Sequence, residues 1–245
     1  MKKASLKEYS RPSTNGVMAI NSAEGDEVVD VRLTNGRNEL ILADRNGRAV
    51  RFDEADIRTM GRTATGVRGM RLDGGDDAVV GMIVVNDASK ESVMVVSEEG
   101  YGKRSEVEDY RKTSRGGKGV KTLAVTDKTG RLVAIKNVTD ENDLMIINKS
   151  GIVIRLAVAD VRIMGRATQG VRLINLTKKN DVIASVCKVM SSELEAMVEA
   201  ESRQKFSENN EHFAQSTTAA DAQDAPTEVG ESQEHEKEGE DQNDN

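Results

Sequence analysis

Short apolar runs of strand length recur along the first three quarters of the chain, each closed by a glycine. They are Glu39-Leu-Ile-Leu-Ala-Asp-Arg-Asn-Gly47, Ser92-Val-Met-Val-Val-Ser-Glu-Glu-Gly100 and Asp143-Leu-Met-Ile-Ile-Asn-Lys-Ser-Gly151. Runs this short and this rich in Val, Ile and Leu predict buried β-strands rather than helices. Asn46-Gly47 and Ser150-Gly151 are turn dipeptides that supply a positive φ, so each run is expected to fold back as a tight hairpin. The returning strand alternates, with Val50 and Phe52 opposite in sense to Arg51, and Ile154 and Leu156 to Arg155.

The three closing glycines are spaced 53 and 51 residues apart, and a second glycine follows each at a distance of 19: Gly66, Gly119 and Gly170. Each opens Gly-Val-Arg or Gly-Val-Lys, and Gly16-Val17 is a fourth, partial copy. An acidic turn and another apolar run then follow, as in Gly74-Gly-Asp-Asp before Ala78-Val-Val-Gly-Met-Ile-Val-Val. Four strands in a unit of this length match a propeller-type blade, with no room for long helices. The expected fold is therefore all-β: residues 1–190 form a partial β-propeller or β-pinwheel of about four blades, the first incomplete. The missing hairpin ahead of Gly16 reads as the C-terminal portion of a longer protein.

Charge divides the chain. Overall, 35 Lys and Arg face 42 Asp and Glu, a net −7. Residues 191–245 hold 16 acids and three bases, or −13, leaving +6 on residues 1–190. The acidic stretch lacks the branched apolar residues needed to offset ordering entropy and is expected to be mostly disordered. A short helix is expected from Ser192, where Glu195 completes a capping box. A charge imbalance of this kind predicts that the tail competes with polyanions for the basic body.

The bases of the body fall in register. Arg51, Arg104 and Arg155 lie four residues after the hairpin glycine. Arg58, Arg111 and Arg162 lie eight before the second glycine, Arg62, Arg115 and Arg166 four before it, and Arg68, Lys121 and Arg172 two after it. A positive spot repeated on every blade predicts a belt for a long polyanion held through its phosphates. Single strands favour aromatic stacking platforms, and the body offers only Tyr9, Phe52, Tyr101 and Tyr110. Duplex DNA bent around the rim is thus the expected partner. For any single column, the alternative is an ion pair with the acidic turns. The segment Arg115-Gly116-Gly117-Lys118-Gly119 adds a second candidate phosphate contact, since glycines admit close backbone approach.

Little else carries chemistry. Both His lie in the tail, the one Cys excludes a disulfide framework, and no apolar run has the roughly 20 residues of a membrane helix. Tyr9 and Tyr110 share a repeat column with Ile57 and Val161, which predicts core positions. Cys187, in the last apolar run, is expected to be a small core residue. No catalytic residue, cofactor site or metal site is expected. A propeller scaffold for protein partners is the rival class.

Several segments resemble the C-terminal domain of the A subunit of bacterial DNA gyrase: Gly100-Tyr-Gly-Lys-Arg, Met60-Gly-Arg with Thr65-Gly-Val-Arg-Gly, and Met164-Gly-Arg with Gln169-Gly-Val-Arg. Arg115 to Gly119 are similar to that family's box, Gln-basic-Arg-Gly-Gly-Lys-Gly, with Thr113-Ser114 in place of its first two residues. The resemblance implies a pinwheel that wraps duplex DNA within a cytoplasmic, nucleoid-associated bacterial topoisomerase. It also implies an A2B2 assembly whose B subunit uses ATP and Mg2+ to drive negative supercoiling, with the catalytic tyrosine in another domain of the A subunit. The A subunit of topoisomerase IV is the near alternative.

Overall fold

The hairpins form where the apolar runs predict them. In the computed structural model, which describes residues 1–176, 181–190 and 196, β1 (Glu39–Asp44) returns as β2 (Arg48–Asp53), and β4 (Ser92–Ser97) as β5 (Tyr101–Glu106). A third hairpin joins β8 (Asn142–Asn148) to β9 (Val153–Ala157). Gly47, Gly100 and Gly151 turn them with φ of 77, 75 and 85°, the left-handed region that favours glycine. Each hairpin runs into a single 3-10 turn: Glu54–Asp56, Val107–Asp109 and Val158–Asp160.

The remaining strands are β3 (Val79–Val85), β6 (Val120–Lys121), β7 (Leu132–Val138), β10 (Val171–Arg172) and β11 (Ile183–Met190). They complete three antiparallel sheets in the orders β3-β1-β2-β6, β10-β5-β4-β7 and β11-β8-β9. One feature differs from a blade built wholly from its own repeat. The Gly-Val strand crosses to the preceding sheet, so β6 pairs with β2 and β10 with β5. The glycine permits this joint. A Cβ on Gly119 would lie 2.3 Å from the Ala49 carbonyl oxygen, and one on Gly170 2.5 Å from that of Gly102.

Three apolar clusters stack along the row of sheets. Leu40, Leu42, Val50 and Phe52 bury the outer face of the first hairpin, while Ile41, Ala43 and Ala49 pack with Val93, Val95, Val107 and Tyr110 of the second unit. Met94 and Val96 pack in turn with Leu144, Ile146 and Val158 of the third. Inner strands are therefore covered on both faces, which explains why β1 and β4 read as continuous apolar runs rather than alternating ones.

The first repeat supplies one strand-like segment. Met1 and Val67 exchange backbone hydrogen bonds at 2.8 Å, and Met60 N–H donates to Lys3 O at 2.9 Å. Val28, Val29, Val31 and Leu33 of the same repeat are exposed. Cys187 corrects the core assignment. β11 buries Ile183 and Val186, but Cys187 stands opposite Met145 on the face of the third sheet that no further unit covers among the described residues, so it is exposed. Ile83, in the same column, is buried against the second unit. The helix expected from Ser192 and the acidic tail lie outside the described residues.

Candidate nucleic-acid interface

The four basic columns have two different environments. Arg51, Arg104 and Arg155 are committed to the fold. Arg51 pairs through Nε with Glu39 at 2.6 Å, and its Nη1 donates to the carbonyls of Val107 and Tyr110 in the next unit. Arg104 is 6% exposed and donates through Nε to Val161 O at 2.5 Å, with Asp140 beside Nη1. Arg155 pairs with Asp143 at 2.7 Å and reaches Met190 O. Burial works against ionised Glu39, but Lys112 and Arg51 together hold its carboxyl below the usual range.

The column four before the second glycine consists of clamps. Arg115 donates to Asp56 O at 2.9 Å and to Arg68 O at 3.1 Å. Arg166 repeats the arrangement one unit on, with Asp109 O at 3.0 Å and Lys121 O at 2.8 Å. Arg62 reaches Met18 O at 3.1 Å. Each clamp thus fixes the backbone of the residue two after the preceding unit's glycine.

The residues of the clamped column face outward, although Arg172 itself is held by no clamp among the described residues. Arg68, Lys121 and Arg172 are exposed, the latter two on the outermost strands of their sheets. Arg58, Arg111 and Arg162, just beyond the 3-10 turns, are exposed as well. Among the described residues, none of these six bases pairs with a carboxylate. Arg172 instead donates to the Tyr101 hydroxyl at 2.9 Å with its guanidinium 5.4 Å from the ring centroid, and Lys128 lies 5.5 Å from the same ring. The two cations share one aromatic ring. Column spacing predicts Arg172 at this spot but not Lys128, which comes from a turn.

The glycine-rich segment docks on the unit before it. Gly116 N–H donates to Gly69 O, and Gly117 O accepts from Arg71 N–H at 2.9 Å. Gly117 and Lys118 are exposed, and Lys118 meets Asp73 at 2.6 Å. A cleft of about 220 Å³ lies beside them, lined by residues that include Arg111, Thr113, Gly117 and Lys118. Gly116 and Gly119, at φ 81 and 77°, serve backbone geometry. Lys118 and Arg111 supply the charge.

One buried base escapes column counting. Lys103 is fully buried, with Nζ donating to Gly165 O at 2.8 Å and Ser105 Oγ at 3.1 Å. Burial pushes its pKa down to about 8. The signal was its place in the inward column of Val50 and Ile154. Tyr110 is fully buried beside Thr122, and burial raises its phenol to about 12, as suits a core residue.

The repeat boundaries decide the family. The family described as DNA gyrase C-terminal domain, beta-propeller, matches residues 1–35, 38–86, 91–139 and 142–187. The chain belongs to it. The four matched segments of this gyrase C-terminal domain are the four repeats, including the partial first one. The DNA gyrase A protein of Staphylococcus aureus (strain MRSA252) is 46% identical over 189 residues, which are 77% of this chain and 21% of that protein. The chain spans about a fifth of the length of such gyrase A relatives. Among solved structures, a C-terminal domain of DNA topoisomerase IV superposes with a TM-score of 0.73 at 29% identity, covering 82% of this chain and 63% of that one. A DNA gyrase A C-terminal domain gives 0.65 at 26%, covering 72% and 59%.

Proposed function

We propose that this chain binds duplex DNA along its outer rim and bends it, as the wrapping portion of a gyrase A protein. The observation that carries this reading is the set of six exposed bases, two per repeat, without carboxylate partners among the described residues. Arg58, Arg111 and Arg162 form one row and Arg68, Lys121 and Arg172 the other, with Lys118 beside them. Repeating contacts at blade spacing favour a ligand whose charge is continuous and whose bending cost is offset by added contacts.

In the whole enzyme, the wrap would present one duplex to another. The chemistry would reside elsewhere in the gyrase A protein, and ATP and Mg2+ would be handled by gyrase B in an A2B2 assembly in the bacterial cytoplasm. A topoisomerase IV role is the second reading, favoured by the higher TM-score of that neighbour. The 46% identity to a gyrase A protein favours gyrase.

Mobility-shift titration across several salt concentrations tests the proposal. Six phosphate contacts predict a slope of log K against log salt near −5, at about −0.9 per contact. Affinity indifferent to salt would reject it, and capture of a protein partner that survives neutralisation of Arg58, Arg111 and Arg162 would favour a scaffold.

A further inference from the structure

Two joints between units are bridged at the same place by different chemistry. Where Gly119 joins the unit before it, Lys118 Nζ meets Asp73 Oδ1 at 2.6 Å. Lys118 is one residue before its glycine, and Asp73 is seven after the glycine of the preceding repeat, Gly66. Where Gly170 makes the next joint, the same two columns hold Gln169 and Thr126, and the Gln169 amide donates to the Thr126 hydroxyl at 3.2 Å. At the Gly66 joint those columns hold Thr65 and Ala23. The Gln169–Thr126 bridge shows that a joint of this design closes without an ion pair.

The strands beneath the two bridges differ as well. Arg48 stands directly opposite Lys121 across the β2–β6 ladder, an arrangement in which like charges repel. In the next joint Tyr101 takes the place of Arg48, opposite Arg172, and its hydroxyl and ring hold that guanidinium. In the Gly119 joint the counter-charge comes from Asp73, whose Oδ2 lies 3.8 Å from Arg48 Nε while Oδ1 holds Lys118. The hydrogen bond from Lys118, with the charges of Lys118, Arg48 and Arg71, keeps the Asp73 carboxyl below the usual range. Nothing in the turn locks that carboxylate in place. Its side chain is 39% exposed, and Gly74 and Gly75 follow at φ +87 and +66° with no atom within 4 Å of their Cβ positions. The turn itself is tied by Asp77, whose Oδ2 accepts Asp73 N–H at 3.0 Å, a bond that survives withdrawal of the Asp73 side chain.

We infer that Asp73 gates the glycine-rich segment: a backbone phosphate of the duplex displaces its carboxylate from Lys118 and Arg48, and this competition sets the affinity of the joint. The inference rests on the proposed DNA-binding reading and adds to it a residue that opposes binding. A phosphodiester carries the same charge as the carboxylate and offers two free oxygens, so it can bridge the same two cations. Lys118 therefore exchanges one anion for another, and gains less on binding than Arg111 or Lys121, which have no carboxylate partner among the described residues. The gate also favours long polyanions. A duplex already held by the neighbouring rows presents its next phosphate at a high effective concentration, enough to compete with a tethered carboxylate, whereas an isolated anion has no such advantage.

Mobility-shift titration of the full chain with a linear duplex, comparing Asp73→Asn with Asp127→Asn, tests this. Asp127 lies in the corresponding turn of the next unit, where the neutral bridge stands, so both variants change the net charge equally. Asp73→Asn should tighten binding about two- to fivefold more than Asp127→Asn does, the range expected for releasing a partly exposed ion pair. In a Lys118→Gln background that difference should shrink, and the melting transition should persist throughout. Equal affinities for the two variants, or weaker binding by Asp73→Asn, would overturn the inference and leave the ion pair as a brace between units. A difference that persists undiminished in Lys118→Gln would overturn it too, because the effect would not pass through Lys118. If neither the parent chain nor Asp73→Asn binds duplex at low salt, the DNA-binding reading itself fails and the gate fails with it.

Discussion

Arg104 and Arg111 lie seven residues apart, and neutralising each should have opposite consequences. Arg104 is 6% exposed and donates at 2.5 Å to Val161 O, a carbonyl of the neighbouring unit, while its partner Asp140 is largely in water. In Arg104→Gln, Asp140 is rehydrated, so the loss is mainly the charge-assisted bond to Val161 O together with the guanidinium packing. Such bonds are worth about 1.5–3 kcal/mol. For a domain of this size, each kcal/mol lowers the melting temperature by about 2–4 °C, so the drop should be roughly 3–12 °C. Arg111 is exposed, and Arg111→Gln should change stability by no more than about 0.5 kcal/mol. It should instead flatten the salt dependence of DNA binding by about 0.9 in slope. Calorimetry and salt-titrated mobility shifts on both variants provide the comparison. If Arg104→Gln flattens the salt slope without lowering the melting temperature, or Arg111→Gln does the reverse, the division into staples and rim contacts is refuted.

Other perturbations probe the same framework. Asp44 is fully buried, its Oδ1 accepts Arg48 N–H at 2.8 Å, its Oδ2 has no hydrogen-bond partner among the described residues, and burial raises its pKa to about 6. Because that value lies above the unfolded one, its contribution to stability is present below about pH 4 and lost as pH rises through 6. Asn148 occupies the same repeat column, so Asp44→Asn should flatten stability between pH 4 and 6 in urea melts. At neutral pH it should add up to about 3 kcal/mol, or about half that after solvent screening; an unchanged pH profile would contradict the assignment. Lys103 has the opposite sign. Its lowered pKa penalises the folded state below about pH 8, and the penalty is relieved as pH rises toward 10.5. Lys103→Met should lack that rise relative to the parent chain, and an identical pH profile would exclude the buried ammonium as its source. Removing residues 191–245 deletes a charge of −13 and should tighten DNA binding at low salt. Unchanged affinity would show that the tail does not compete.

The hairpins could be read directly because the information is local: an apolar run of strand length ends in a residue able to take positive φ. The strand crossing could not. Val120–Lys121 and Val171–Arg172 are two-residue strands, too short to carry a period, and their pairing depends on a carbonyl contact from another repeat. The basic columns illustrate the same limit. Spacing located Arg51 and Arg58 equally well, but their roles diverge because Glu39 sits diagonally across the hairpin from Arg51 while Arg58 emerges beyond the 3-10 turn. Composition placed Cys187 in the core. Its face of the third sheet is uncovered among the described residues, whereas the matching face of the first sheet, with Ile83, is packed by the next unit, and no apolar count reports which face a neighbour covers. Lys103 was legible only as a base in an inward column, since its Gly165 partner lies 62 residues away.

On the proposed reading, duplex DNA bends around the rim rather than merely adhering to it. Energy transfer between dyes at the two ends of a linear duplex long enough to cross all three sheets measures this directly. The ends should draw together as the chain binds, the effect should weaken with salt, and neutralising Arg111, Lys121 and Arg172 should abolish it while the fold persists. Tight binding that leaves the end-to-end distance of the free duplex unchanged would contradict it.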